Sequence, residues 1–425
     1  MPTEIIVTFA ILILAITLFV TEIIPVAMTA LLTTFLLYIT GVIDTETVFS
    51  GFTNEIVILI AGMFIIGSAL FETGVARSIG DIITKYAKTE KQLLLAIMIV
   101  ASILSAFLSN TSTTAVMMPI VVMIADSVGF TRSKLLMPLA YATSFGGMIT
   151  LVGNNGTLAA QGVAQNQGVE GFGFFEFAYI GVPLTIIGII YMMTIGYKVI
   201  PNRENKVMEE PQDVKTEKPK KQESSTKQFI AVATLIVTII FMIFEEQIGI
   251  PLHIVSIMGA LLVVLTRTMT EKQAYRSLDM STLILVAAMM PMATAMEDTG
   301  AAKLFADSVL SLVGDATGPY IMTALIFLIT TFLTSVMSNT ATAVLMAPIG
   351  IVIATSMGAD PRPILMTIAV GSAAAYASPI GTPPNTMIYK LGNYKFIDYV
   401  KSGLPFIIIQ LIICTFIVPW IWPFY

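Results

Sequence analysis

Two copies of one polar tripeptide lie in the middle of long apolar segments of this chain. Ser109-Asn110-Thr111 recurs 229 positions later as Ser338-Asn339-Thr340. Ser and Asn are typical first residues of helices, where backbone N–H groups are free and the helix dipole is positive. Such a helix start binds carboxylate or sulfate oxygens without Lys or Arg. The pair predicts a small-anion site; the alternative role is hydrogen bonding between neighbouring membrane helices.

A hydroxyl residue lies four positions before each tripeptide. Ser105 comes before the first tripeptide and Thr334 before the second. On a helix, residues four positions apart share one face. The C-terminal end of the incoming half-helix also exposes backbone carbonyls, which suit a sodium ion. We therefore expect an oxygen cage for one cation in each copy, with the two cages flanking one anion.

A pair of helix-breaking stretches follows the tripeptides. The first is Gly153-Asn154-Asn155-Gly156 and the second is Gly381-Thr382-Pro383-Pro384-Asn385. Glycine can open the backbone, and Pro383 and Pro384 remove two backbone donors, so we expect the prolines to stop a helix within the membrane. Broken helices in matching positions of two halves are typical of a transporter's binding site.

The residue types that most enzyme sites need are scarce. The chain has one histidine, His253, and one cysteine, Cys414. A zinc protease needs more histidines, and no Gly-x-Ser-x-Gly nucleophile motif is present, so we expect no enzyme and no organic cofactor. His253 follows Pro251 near the start of an apolar segment, which is typical of an interfacial or packing residue. No acidic residue falls in the middle of an apolar segment, which argues against a carboxylate-based proton relay.

The elements that must position these residues are membrane helices. Of the 425 residues, 56% are hydrophobic and 12% are charged, against about 25% charged in a soluble domain. A bilayer span takes about 20 apolar residues. Apolar segments lie at 5–21, 25–41, 55–72, 92–128, 134–165, 175–198, 228–244, 250–266, 281–297, 318–357, 361–389 and 402–424. We expect an all-α integral membrane protein, with the amphipathic stretches 75–89 and 301–313 at the interface.

Matching markers divide the chain into two similar halves. The tripeptides and Pro119 recur 229 positions later, Gly153 recurs 228 later, and Pro25 recurs 226 later. Near-constant offsets in one order predict a repeat over 1–200 and another over 228–425. Between them, 201–227 is rich in Lys, Glu, Gln, Ser and Pro, which is typical of a flexible linker.

The distribution of basic residues predicts how the repeats cross the membrane. We interpret 92–128 and 318–357, each with its tripeptide in the middle, as re-entrant hairpins. Each repeat then makes five crossings, so about ten spans are expected and the second repeat is inverted. With the linker 201–227 in the cytoplasm, only Lys303 and Arg362 of the 22 basic residues lie outside, in agreement with the positive-inside rule. Both termini are then predicted to lie on the outer side of the cell membrane.

These motifs resemble those of a known family of transporters. Together with the run Ala377-Ser378-Pro379-Ile380-Gly381-Thr382-Pro383-Pro384-Asn385-Thr386, they are similar to the divalent anion:sodium symporter family of the ion-transporter superfamily. The similarity covers essentially the full chain. It implies a scaffold domain, a transport domain that carries both hairpins, a homodimer, and alternating access by an elevator-type movement.

The resemblance also implies site residues. Ser105, Ser109, Asn110 and Gly153 would form one sodium site. Thr334, Met337 (through its carbonyl), Asn339 and Gly381 would form the other. The anion would bind to Ser109, Asn110, Thr111, Ser338, Asn339 and Thr340, with Thr382 nearby. The first half departs from the family pattern because Asn154-Asn155-Gly156-Thr157 replaces the usual Thr-Pro-Pro-Asn.

The function expected from these residues is sodium-coupled symport of a divalent anion, which is either sulfate or a C4-dicarboxylate such as succinate. Proton-coupled or exchange transport is the alternative hypothesis, and an anion channel is the third. Amides, hydroxyls and helix ends bind carboxylate and sulfate about equally well, so both anions remain open. The expected partners are the anion, sodium and lipid, and no nucleic acid.

Overall fold

Residues 3–75, 78, 89–203, 225–313 and 318–425 are described by a computed structural model of the protein. Within these ranges every regular element is helical, which confirms the all-α fold. The first half contains α1 Thr3–Thr21, α2 Val26–Ile39, α3 Thr45–Ser50, α4 Glu55–Glu72, α5 Glu90–Phe107, α6 Asn110–Val128, α7 Arg132–Gly146, α8 Asn155–Asn166 and α9 Ala178–Tyr191. A π-helical stretch, Met192–Gly196, continues α9.

The second half contains eleven helices in a similar order. They are α10 Ser225–Ile243, α11 Glu245–Ile248, α12 Leu252–Leu265, α13 Glu271–Ser277, α14 Met280–Asp298, α15 Ala301–Val313, α16 Pro319–Thr334, α17 Asn339–Ser356, α18 Pro361–Ser372, α19 Pro383–Leu391 and α20 Phe396–Ile421. α10 begins at Ser225, so the last three residues of the predicted linker belong to this helix. Residues 204–224 of that linker, and most of the predicted interfacial stretch 75–89, lie outside the described residues.

Many of these helices can cross a bilayer. Among the described residues, nine helices have the length and apolar composition of a span, and α2, α12 and α16 are shorter apolar helices. Large apolar side chains project from the protein surface, with Leu265 78% and Trp420 79% exposed. Contiguous apolar surface of this kind is stable against lipid and unfavourable in water. The helices therefore form a multi-pass membrane bundle.

The two halves pack crosswise against each other. α4 of the first half lies against α12 of the second, and α2 lies against α14. In the same way α8 packs on α17, and α6 packs on α19. The helix starts Val26 and Leu252 are 226 positions apart, which is the offset found in the sequence. Each half is thus completed by the other, as two related units would be, while their inverted orientation stays a prediction.

The polar tripeptides lie at short interruptions between two helices. α5 ends at Phe107 and α6 begins at Asn110, with Leu108 and Ser109 in extended conformations between them. α16 ends at Thr334, and α17 begins at Asn339. The helix following each pair is interrupted as well, since α7 stops at Gly146 and α18 stops at Ser372. Four helix breaks therefore bring free backbone groups into the interior.

The structure corrects the role expected for Pro383 and Pro384. We expected them to stop a helix, but α18 has already ended at Ser372. The prolines are instead the first two residues of α19. A proline at this position loses no helical hydrogen bond, and its fixed φ favours the start of a helix. The non-α-helical stretch therefore lies before the prolines, from Ala373 to Thr382, and contains one 3-10 turn at Ala375–Ala377.

Contact between α4 and α12 depends on a glycine, which gives a testable prediction. A Cβ added at Gly62 would lie 2.5 Å from Ser256 Oγ and 2.7 Å from the Ser256 carbonyl carbon. We expect Gly62→Ala to push the helices apart and to destabilise the protein by about 1–3 kcal/mol. Thermal unfolding in detergent measures this, with Gly318→Ala, which has open space around it, as the control. Equal unfolding temperatures for both variants would contradict this packing.

Candidate functional site

Both tripeptides form the first turn of a helix, and their serines cap it. Ser109 Oγ accepts a hydrogen bond from Ser112 N at 3.2 Å, and Ser338 Oγ accepts one from Ala341 N at 3.2 Å. A capping serine satisfies one of the free N–H groups at a helix start and leaves the preceding ones available. Asn110 and Asn339 follow directly as the first helical residues.

The side-chain amide of Asn110 lies within a cluster of oxygen atoms. One of its two terminal atoms is 2.9 Å from Ser105 Oγ, 2.7 Å from Gly153 O and 3.1 Å from Thr143 O. Ser105 Oγ also lies 2.7 Å from Thr143 O, to which it donates. The structure thus brings together Ser105, Asn110 and Gly153, three residues of the first predicted sodium site.

The same cluster recurs in the second half. The amide of Asn339 lies 2.9 Å from Thr334 Oγ1, 2.9 Å from Ser372 O and 3.2 Å from Gly381 O. Thr334 Oγ1 lies 2.6 Å from Ser372 O. Thr334, Asn339 and Gly381 of the second predicted site are therefore together. Met337 lies in the turn between α16 and α17 with its side chain buried.

These oxygen clusters have the chemistry of a sodium site. When an asparagine amide faces only oxygens, it can turn its nitrogen inward and donate, or a cation can hold its oxygen inward. Ser372 is the last residue of α18 and Thr143 lies in the last turn of α7, so their carbonyls belong to the negative ends of two helices. Unwound carbonyls and half-helix C-termini coordinate sodium in transporters. The donor sets therefore fit the cation.

Gly153 and Gly381 allow backbone oxygens beside the two oxygen clusters to approach closely. A Cβ added at Gly153 would lie 2.5 Å from Gly147 O and 2.6 Å from Ser105 O. A Cβ added at Gly381 would lie 2.4 Å from Thr334 O. Real Cβ atoms do not approach backbone oxygens so closely, so a larger residue would have to displace the helix ends that form the clusters.

A cavity of about 200 Å³ lies between the two clusters' asparagines. Its lining residues are Val26, Asn110, Thr111, Asn154, Asn155, Asp279, Ser281, Thr282, Leu285, Ser338, Asn339, Thr340, Thr382 and Pro383. Six of the seven predicted anion-binding residues are in this set. The seventh, Ser109, instead lines a separate small pocket beside Gly67 of α4, with Ser112.

The electrostatics of the cavity come from helix ends. Six helices begin at its wall, namely α2, α6, α8, α14, α17 and α19. Each contributes a positive dipole end, and all except α19, whose first two residues are prolines, also contribute free N–H groups. Among the described residues that line the cavity, only Asp279 is charged. The cavity can thus bind an anion without a cationic side chain.

Sequence reasoning missed several residues of this site. Asn154 and Asn155 were noted as a helix break only, although Asn154 lies 228 positions before the predicted Thr382. The carbonyls of Thr143 and Ser372 leave no trace in the sequence, because every residue type has a carbonyl. Asp279, Ser281 and Thr282 lie far from either tripeptide in the chain, and no motif marks them.

The single histidine and cysteine lie outside this site. His253 Nδ1 is 3.5 Å from Glu55 Oε2, and both residues line a second cavity of about 360 Å³. Cys414 is a buried free thiol. Within the part of the chain that the structure describes, no group of three His, Cys, Asp or Glu residues could hold a metal ion.

Known proteins of similar sequence are transporters. An uncharacterized transporter of Escherichia coli K12, YfbS, is 24% identical, and the alignment covers 100% of both chains. A sodium-dependent dicarboxylate transporter of Staphylococcus aureus, SdcS, is 27% identical over 100% of this chain and 87% of its own. The uncharacterized transporter sll0640 of Synechocystis is 23% identical over 95% and 94% of the two chains. These relatives confirm that the chain is a transporter and not an enzyme.

Solved structures support the fold. The YdaH transporter of Alcanivorax borkumensis superposes with a TM-score of 0.64 at 13% identity, over 89% of this chain and 87% of the other. The MtrF antimetabolite efflux pump of Neisseria gonorrhoeae gives 0.62 at 15% identity, over 88% and 82%. At these identities the likeness concerns the fold alone.

The family is shown by a match to a family sequence model. The model described as citrate transporter matches residues 16–371, with a further overlapping match at 239–424. The first match alone covers more than half of the chain. Together with the relatives that are sodium-dependent dicarboxylate transporters, it confirms the resemblance seen in the motifs. This chain belongs to the citrate transporter family.

Proposed function

We propose that this protein is a sodium-coupled symporter of a divalent anion. The anion is either sulfate or a C4-dicarboxylate such as succinate. The observation that carries the proposal is that both tripeptides meet at one cavity flanked by two oxygen clusters. An anion in the cavity would face six helix starts, and a sodium ion in each cluster would face helix C-terminal carbonyls. Several relatives named sodium-dependent dicarboxylate transporters support this choice of cation and anion.

Neutral donors at the cavity wall would hold the anion. Asn154 is 2% exposed, and its amide nitrogen has no hydrogen-bond partner among the described residues. A buried donor without a partner costs free energy, and an anion oxygen would remove that cost. Thr382, the counterpart of Asn154 in the second half, makes no side-chain hydrogen bond to its own helix. Asn154 therefore joins Asn110, Asn339 and Thr382 in the proposed anion site.

Coupling between sodium and the anion follows from shared residues. Asn110 lines the cavity, and its amide belongs to the first oxygen cluster. Asn339 does the same in the second half. A sodium ion that fixes either amide therefore orders the adjacent wall of the anion site and adds positive charge beside it. Binding of one ligand lowers the cost of binding the other, which is positive coupling.

The second cavity supports alternating access between two such sites. Its lining includes Glu55, Ile56, Leu59 and Leu252. Each of these lies 226 positions from a residue of the first cavity, namely Ser281, Thr282, Leu285 and Val26. We propose that the hairpins of 92–128 and 318–357 belong to a transport domain that moves between these two walls, in an elevator-type movement within a homodimer.

The membrane orientation follows from the charge distribution. We propose that the linker 201–227 is cytoplasmic, that both termini lie outside, and that 1–200 and 228–425 are inverted repeats. The first cavity then opens toward the cytoplasm and the second toward the outside. Each inward charge gains about 2.3 kcal/mol per 100 mV. The membrane potential therefore drives uptake when each cycle carries more positive charge on sodium than negative charge on the anion.

Loss of a hydroxyl from an oxygen cluster should weaken the binding of sodium more than the binding of the anion. Ser105→Ala and Thr334→Ala each remove one oxygen from a cluster without touching the cavity wall. We expect the sodium concentration for half-maximal uptake to rise about tenfold, as the loss of one ligand hydrogen bond or contact implies. Sodium titrations of uptake measure this. Unchanged sodium dependence in both variants would show that the hydroxyls do not bind sodium.

Uptake of labelled succinate into proteoliposomes, with and without an inward sodium gradient, tests the proposed function. Unlabelled sulfate, citrate and phosphate serve as competitors, and their order identifies the substrate class. We expect accumulation only with sodium. Accumulation driven equally well by a proton gradient without sodium would instead support the proton-coupled alternative.

A further inference from the structure

The anion cavity contains one carboxylate, Asp279, at the start of α14. Its Oδ1 accepts a hydrogen bond from Thr282 N at 3.2 Å, and its Oδ2 accepts one from Thr282 Oγ1 at 2.6 Å. The side chain lines the cavity and is exposed. An ionised carboxylate has about four acceptor positions. Asp279 therefore keeps acceptor capacity for a ligand in the cavity.

Capping of α14 does not require the charge. α4 is the counterpart of α14 in the first half, and its cap is a neutral residue, Asn54, which accepts from Ile56 N at 2.9 Å. Asn and Asp cap helices about equally well. The negative charge at Asp279 is thus an addition to the cap, placed in a cavity whose other described lining residues are neutral.

A fixed negative charge opposes the binding of a simple dianion. Like charges in a partly desolvated site repel more strongly than in water. A carboxylate in an anion site becomes favourable when the ligand offers it a hydrogen-bond donor, because that hydrogen bond is charge-assisted. A dicarboxylate that carries a hydroxyl or an ammonium group on its carbon chain has such a donor, whereas succinate and sulfate do not.

Neighbouring contacts fix the carboxylate in place. Thr282 uses its hydroxyl proton on Asp279, so its oxygen is free to accept from Asn155 Nδ2, which lies 3.4 Å away. Asn155 is the first residue of α8, at the break proposed to meet the anion. Asp279 is thus connected through the Thr282 hydroxyl to Asn155 of the other half of the chain.

We propose that Asp279 determines substrate specificity by accepting a hydrogen bond from a donor group on the substrate. The preferred substrate is then a dicarboxylate bearing a hydroxyl or an ammonium group. This inference rests on the proposed function and narrows it. The carboxylate recognises the substituent, while the helix starts and amides recognise the carboxylates.

Binding of four probes to the purified protein in sodium tests the inference. The probes are succinate, malate with a hydroxyl, aspartate with an ammonium, and sulfate. We expect the wild type to bind malate or aspartate at least about tenfold more tightly than succinate, since hydrogen bonds to charged groups are the strong ones. Asp279→Asn keeps the cap and should reduce that ratio to near one. Sulfate should bind no more weakly to the variant.

A second variant and a matched control separate specificity from stability. Asp279→Ser is another neutral cap and should give the same loss of ratio. Asp44→Asn neutralises a capping carboxylate of α3 that accepts from Thr47 N at 2.8 Å and does not line the cavity, so its ratio should match the wild type. Comparison of malate with aspartate identifies the donor group.

Three outcomes overturn the inference in distinguishable ways. A wild-type preference that both Asp279 variants retain, or a wild type that binds succinate as tightly as malate and aspartate, would overturn the role of Asp279 alone. A wild type that binds none of the four anions in sodium would overturn the proposed function, and the inference with it.

Discussion

Asn110→Ala and Asn339→Ala are each expected to reduce sodium-driven anion uptake to background. Each asparagine belongs to an oxygen cluster and to the cavity wall, so one substitution removes a cation ligand and an anion donor together. It also leaves buried oxygens such as Gly153 O or Gly381 O without a partner, at about 1–3 kcal/mol each. A combined loss of this size corresponds to about a hundredfold or more in uptake rate.

Asn202→Ala is the matched control for these two variants. Asn202 lies at the start of the linker, where it accepts a hydrogen bond from Thr131 Oγ1 at 2.5 Å, and it does not line the cavity. Initial uptake rates are compared at equal amounts of folded protein in the vesicles. Rates near the wild-type value for both Asn110→Ala and Asn339→Ala would exclude the clusters and the cavity as the transport site.

Gly153→Ala and Gly381→Ala should weaken sodium binding while the protein remains folded. The added methyl group would lie 2.6 Å from Ser105 O in one case and 2.4 Å from Thr334 O in the other. Relief of such a contact costs about 1–3 kcal/mol and moves the helix ends apart. Because cation coordination depends on oxygen separations of tenths of an ångström, we expect sodium affinity to fall by tenfold or more.

A third glycine distinguishes a local effect from general strain. Gly318 has open space around it and lines neither cavity, so Gly318→Ala should retain wild-type sodium dependence. Sodium-induced stabilisation against heat measures binding without transport. Full stabilisation by sodium in Gly153→Ala and Gly381→Ala would mean that the close approach of these oxygens is not needed for the cation.

The part of the site that sequence reasoning found depends on local signals. Ser109 and Ser338 mark helix starts because capping is a property of a few neighbouring residues. Ser105 and Thr334 follow from helical spacing, since residues four positions apart share a face. The duplication of every marker about 228 positions later made these short motifs specific, and the all-α membrane fold followed from composition.

The part that was missed depends on packing between distant segments. Thr143 and Ser372 contribute carbonyls, and their place at two helix ends depends on where α7 and α18 stop. Asp279 and Thr282 reach the cavity because α14 packs across the halves, which no local pattern encodes. The role of Pro383 was wrong for a related reason: proline ends one helix or begins another, and only the end of α18 at Ser372 decides between them.

Paired flux of labelled sodium and labelled succinate into the same proteoliposomes, at a fixed membrane potential, tests the central claim most directly. Two oxygen clusters beside one anion cavity predict that each flux requires the other ligand and that at least two sodium ions enter with each anion. Succinate accumulation that persists at full rate without sodium, or sodium entry that is independent of the anion, would contradict the account.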